Sequence, residues 1–181
     1  DELPFRDLDG YDWAKGSIRL LYQKGIVNGR TDSEFAPDAL ITRAEAVKMI
    51  VLTLGGVDEN AESSFSDIGT DMWSYPYLAT AEQKGIISGY GNGMSGAEDY
   101  VTREDLAVMV LRAANLSGKD YEAGGSLEFG DAAAISPYAA EAVQKLCSAG
   151  VISGADNNLF LPKNNATRAQ SAKILAALLV S

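Results

Sequence analysis

The chain has 181 residues, 46% hydrophobic and 22% charged, a composition that fits a folded domain or small array and excludes disorder. Its net charge of −10 disfavours a nucleic-acid partner, and no run of about 18 apolar residues is present to insert into a membrane. Histidine is absent, which excludes histidine-ligated metal and histidine-activated nucleophiles, and the single cysteine, Cys147, reads as a small buried hydrophobe.

No basic-apolar leader opens the chain, which reads as a mature protein or a fragment of something longer. Phe5-Arg6-Asp7 comes first, and then Trp13, Ile18, Leu21 and Tyr22 recur at roughly helical spacing. Lys24-Gly25 closes that helix, because glycine suits the left-handed residue after a helix end and a cation suits the helix C-terminus. Gly25-Ile26-Val27 leads through Gly29 to a loop carrying Phe35-Ala36-Pro37. Thr42 opens a second helix, and Glu45 three residues on completes a capping box. Val47, Ile50, Val51 and Leu54 line one face of it.

After a polar linker over 57–64 the order begins again: Phe65-Ser66-Asp67, Trp73, Lys84-Gly85, Gly89 and Thr102-Arg103-Glu104. This copy has 91–97, with neither Phe nor Pro, in place of Phe-Ala-Pro, which predicts a more flexible loop. A second linker over 117–127 precedes Phe129-Gly130-Asp131, Tyr138, Ala149-Gly150, Gly154, Phe160-Leu161-Pro162 and Thr167-Arg168-Ala169. The period is about 60 residues, and the repeats are placed at 1–60, 61–120 and 121–181. One unit of this size cannot bury its own apolar face, so the three second helices are expected to pack together at the centre.

Capping explains Thr42, Thr102, Thr167 and Glu45 at about 1 kcal/mol each. It does not explain Arg43, Arg103 and Arg168. Each stands at the first helical position, where the macrodipole disfavours a cation by about a few tenths of a kcal/mol. One reading is an anion site built from free helix N–H groups and a guanidinium. The other is a structural arginine paired with Asp7, Asp67 or Asp131. Trp13 and Trp73 likewise have two readings, as covers for the inter-unit core or as platforms for a sugar ring.

The combination of Phe-x-Asp, Trp13-Ala14, Gly25 to Gly29, Phe-x-Pro and Thr42 to Glu45, in three copies over nearly the whole chain, resembles the S-layer homology domain. The resemblance implies an all-α, pseudo-threefold helical bundle of three tandem repeats, with the arginine-bearing helices central and grooves between units. It implies an extracellular, non-catalytic anchor within a longer surface protein. The implied partner is the secondary cell wall polymer of Gram-positive bacteria, a peptidoglycan-linked glycan whose terminal N-acetylmannosamine carries a pyruvate ketal. Carried over by position, the ligand-binding set is Arg43, Arg103, Arg168, Trp13 and Trp73, with Gly29, Gly89 and Gly154 where bare backbone admits a ligand. Asp7, Asp67 and Asp131 are expected to hold the helix starts rather than touch sugar.

Two departures predict unequal grooves. Repeat two reads Thr-Arg-Glu-Asp, placing acid beside Arg103, and repeat three lacks the tryptophan. No cofactor or metal is expected, since Asp7–Asp12 lacks the spacing of a calcium loop. Two other readings stand beside the anchor. One is a protein–protein assembly module of a surface lattice. The other is a glycan-cleaving enzyme with two carboxylates, for which no recurring acidic pair singles itself out.

Overall fold

The computed structural model describes residues 3–180. Its helices fall into three pairs: α1 (Asp12–Gln23) and α2 (Arg43–Thr53), α3 (Tyr75–Gln83) and α4 (Arg103–Leu116), α5 (Pro137–Ser148) and α6 (Arg168–Ala176). Among the described residues there is no strand beyond isolated bridges, so the all-α expectation holds. Each first helix ends as its sequence requires. Gly25, Gly85 and Gly150 adopt φ of 70°, 70° and 69°, which lets the following residue turn back. Ile26, Ile86 and Val151 then donate their N–H to Leu21, Ala81 and Leu146, each at 2.9 Å.

The second helices α2, α4 and α6 meet one another at the centre. Val47, Ile50, Leu106, Val110, Ala172 and Leu175 are fully buried there. The pairing around this trio is not the pairing of the sequence. α1 packs on α6, α3 on α2 and α5 on α4, so each first helix rests on the second helix of another repeat. No repeat shields its own core, and the first and last repeats close on each other.

A second closure lies where the second helices begin. The residue before each threonine joins a cycle of backbone bonds: Val101 N–H to Ile41 O (3.1 Å), Ala166 N–H to Val101 O (2.9 Å) and Ile41 N–H to Ala166 O (3.3 Å). Ile41, Val101 and Ala166 are wholly buried. The 57–64 linker is docked rather than loose. Asp58 donates its N–H to Thr80 Oγ1 at 3.0 Å, and Ser63 and Ser64 hydrogen-bond the Glu82 carboxylate. Trp13, placed by spacing with the apolar stripe of α1, is 47% exposed, while Ala14, Ile18 and Leu21 fill the core.

Candidate functional site

The second helices carry the caps that their sequences specify. Thr42, Thr102 and Thr167 accept the N–H of Glu45, Asp105 and Gln170, and Glu45 and Gln170 complete capping boxes. The anion-site reading, however, required open N–H groups, and these are taken. Arg43 N–H donates to Asp99 O (2.8 Å) and Ala44 N–H to Ala97 O (3.0 Å). Arg103 and Glu104 donate to Asn164 and Pro162, and Arg168 and Ala169 to Ala39 and Pro37. With the threonine serving the third amide, each helix start is saturated by its neighbour's loop.

The arginine side chains reach the same neighbour. Arg43 Nε donates to Ser95 O, Arg103 Nε to Phe160 O and Arg168 Nε to Phe35 O, at 3.1, 2.9 and 2.9 Å. Arg103 adds Ser153 O at 2.8 Å and Arg168 adds Asn28 O at 2.7 Å. Each guanidinium lies over a ring, 4.9 Å from Phe160 for Arg103 and 4.5 Å from Phe35 for Arg168. The structural pairing with Asp7, Asp67 and Asp131 is not made. Those carboxylates clamp the loop instead of a helix start. Asp7 accepts the N–H of Phe35 and Ala36, Asp67 those of Ser95 and Gly96, and Asp131 those of Phe160 and Leu161. They hold the turns in which Ala36, Gly96 and Leu161 take positive φ. The Asp67 clamp adds Ser95 Oγ, so the loop lacking Phe and Pro is tied as firmly as the other two.

Gly29, Gly89 and Gly154 line the grooves, but packing beneath them also demands glycine. A Cβ at Gly29 would stand 2.2 Å from Thr31 O and 2.6 Å from the Phe5 ring. At Gly89 and Gly154 it would meet Phe65 and Phe129 at 2.6 and 2.5 Å. The repeated Phe-x-Asp thus uses its aspartate as a clamp and its phenylalanine as a plug.

Each groove is assembled from all three repeats. The first lies between the 25–30 loop and α2 of repeat one, Trp73 of repeat two and Arg168 of repeat three. The second joins the 151–156 segment and α6 to Trp13 and Arg103. The third joins the 86–90 loop and α4 to Tyr138 and Arg43. Their volumes are about 390, 500 and 380 Å³, and their linings differ in chemistry. Two lysines that the motif reading passed over complete the first two. Lys48 Nζ lies 5.7 Å from the Trp73 ring centre, and Lys173 Nζ 5.6 Å from that of Trp13. The signal was in the sequence: lysine stands six residues after Thr42 and after Thr167, and valine six after Thr102.

Among the described residues neither Arg168 nor Arg103 has a carboxylate within salt-bridge distance. Burial, and then the neighbouring positive charge of Arg30, push the Arg168 guanidinium down to about 10. Burial lowers Arg103 as well. Both are partly desolvated cations without a salt bridge of their own, beside a lysine and an exposed indole; the Glu45 carboxylate that also lines the first groove is paired with Arg30 at 2.8 Å.

The third groove, whose Arg43 is also buried, departs in its counter-charge, its lysine and its indole. Arg43 Nη1 pairs with Asp105 Oδ2 at 2.8 Å, and Tyr138 OH donates to Asp105 Oδ1 at 2.6 Å. Val108 replaces the lysine. Tyr90, 4.7 Å beneath the Arg43 guanidinium, replaces the loop phenylalanine that repeat two lacks. Burial and the bond to Asp99 raise its phenol to about 12. The acids of repeat two therefore do not crowd Arg103. Asp105 crosses to Arg43, while Glu104 is buried against repeat three. Glu104 accepts the N–H and O–H of Ser136 at 2.9 Å each and pairs with Lys163. Burial opposes its charge, but Lys163 and Ser136 outweigh it and hold the carboxyl below its ordinary range.

These features define a closed three-repeat helical module with inter-repeat grooves floored by arginine. The family profile of the S-layer homology domain matches residues 4–47, 64–107 and 128–172. The chain belongs to that family, whose modules anchor surface proteins to the cell wall. It is 36% identical over 93% of its length to an amylopullulanase of Thermoanaerobacterium thermosulfurigenes, of which it covers 9%. Exoglucanase XynX of Acetivibrio thermocellus is also 36% identical over 93% of the chain, which covers 16% of it. The S-layer protein EA1 of Bacillus anthracis is 31% identical over 95% of the chain, which covers 20% of it. The chain thus spans a fifth or less of these relatives, which share the module and differ in what it accompanies.

Proposed function

We propose that this module is a non-catalytic, lectin-like wall anchor that reads a carboxylate borne on a sugar. The sugar is the one that the family resemblance implies, terminal pyruvylated N-acetylmannosamine of a secondary cell wall polymer. The observation that carries the reading is the pairing, in two grooves, of an arginine without a salt-bridge partner (Arg103 buried, Arg168 half-buried) with a lysine stacked on an exposed indole. The cations receive the pyruvate carboxylate, and Trp73 or Trp13 covers the apolar face of the pyranose. The site is a local positive patch in a chain of net charge −10, so attraction acts at contact range and fades beyond about a Debye length of 8 Å in physiological salt.

Calorimetric titration with N-acetylmannosamine carrying the 4,6-pyruvate ketal, beside the same sugar without it, tests the proposal. Only the ketal is expected to bind. Lys48→Ala should weaken the Trp73 groove roughly 10- to 150-fold, the loss of one charge-assisted hydrogen bond. Equal binding of both sugars would remove the carboxylate from the recognition.

A further inference from the structure

The third groove has the same frame as the other two, and its differences are mutually consistent. Position three of each second helix carries Glu45, Asp105 or Gln170. Glu45 and Gln170 bend back onto their own helix start, accepting the N–H of Thr42 at 3.0 Å and of Thr167 at 3.2 Å, and the second oxygen of Glu45 pairs with Arg30 at 2.8 Å and leaves Arg168 without a salt bridge. Aspartate is one methylene shorter, and helix α4 has no such box. Its carboxylate instead stands across the groove on Arg43 and Tyr138.

We infer that the Asp105 carboxylate is the resident occupant of the Arg43 groove, holding the place that a sugar-borne carboxylate takes in the other two. The inference rests on the reading of those two grooves given above. Each neighbouring substitution fits an internal anion. Val108 removes the cation that would meet an external charge. Tyr138, which lines this groove as Trp13 and Trp73 line the others, brings a hydroxyl to the aspartate. Tyr90 backs the guanidinium. Arg112, the remaining cation of the groove, is turned onto the Ile86 carbonyl at 3.1 Å. A ligand carboxylate entering here would displace one already bound and would stand beside its negative charge.

Asp105 is thus a specificity-determining residue, and the module is divalent by construction rather than trivalent. The test is stoichiometry, measured by titrating the whole chain with pyruvylated N-acetylmannosamine. Wild type is expected to bind two sugars. Asp105→Gln/Val108→Lys, which installs the Gln170 and Lys173 pattern, is expected to bind three, with the new Kd within about tenfold of the others. The two original sites report in the same titration that the variant is folded. Asp105→Glu alone is the milder version, since the longer arm can return to the helix start and free Arg43. Three sugars on wild type, or two on both variants, overturns the inference. Wild type binding none would instead remove the carboxylate reading on which it stands, and the inference with it.

Discussion

Replacing Arg168 by lysine keeps the charge and removes the fork. In the structure that fork joins the last repeat to the first, through Nε to Phe35 O at 2.9 Å and Nη2 to Asn28 O at 2.7 Å. An ammonium on a flexible stem has no donor at the Nε position, so at least one of the two bonds is lost. A hydrogen bond to a charged group contributes about 1.5–3 kcal/mol, and a carbonyl left without its donor adds to the loss. Arg168→Lys should therefore cost about 2 kcal/mol, and Arg168→Met, which forfeits both bonds and the stacking on Phe35, about 4 kcal/mol. For a chain of this length, about 2–4 °C is lost per kcal/mol. A calorimetric scan should show Arg168→Lys melting about 4–8 °C below wild type and Arg168→Met lower still. Arg168→Lys melting within 1 °C of wild type would mean that the guanidinium–carbonyl closure contributes nothing, leaving Arg168 purely a ligand group.

Gly29→Ala should destabilise by about 1–3 kcal/mol in urea titration, because its Cβ would stand 2.2 Å from a backbone carbonyl that cannot rotate away; a neutral result would show that the loop yields freely. Glu104 carries the pH dependence. Its pKa is depressed in the folded state from an ordinary value of about 4.3, so its stabilisation is complete above that value and is lost as pH falls through the folded one. The Tm gap between wild type and Glu104→Gln should narrow between about pH 5 and 3, and a gap unchanged over that range would contradict the pairing with Lys163.

The helices, their caps and the central trio were legible because they depend on local rules. Thr42 with Glu45 and Gly25 after Lys24 each need only a few residues of context. The arginines were harder. Their position in the helix was evident, but their Nε acceptors lie 52, 57 and 133 residues away, on loops of other repeats. The clamp by Asp7 was misassigned for the same reason, since its partners Phe35 and Ala36 are a full loop away and no spacing rule links them. Lys48 and Lys173 were visible in register yet unremarked, because a lysine on an amphipathic helix is ordinary until the indole of another repeat is placed over it. The role of Asp105 turned on one methylene, a difference that a motif treats as conservative.

The packing of α1 on α6 gives this repeat chain an order of events unlike that of an open solenoid. In an open array each unit settles on the one before it, and stability accrues stepwise from nearest neighbours. Here the first helix has no seat until the last one exists, and the hydrogen-bonded cycle through Ile41, Val101 and Ala166 closes only when all three repeats are in place. A chain emerging vectorially from the ribosome must hold its first repeat unfinished until residues near 176 are free. Melting should then be a single cooperative event, and a chain cut to two repeats should acquire its missing third from a second molecule rather than fold as two-thirds of a module.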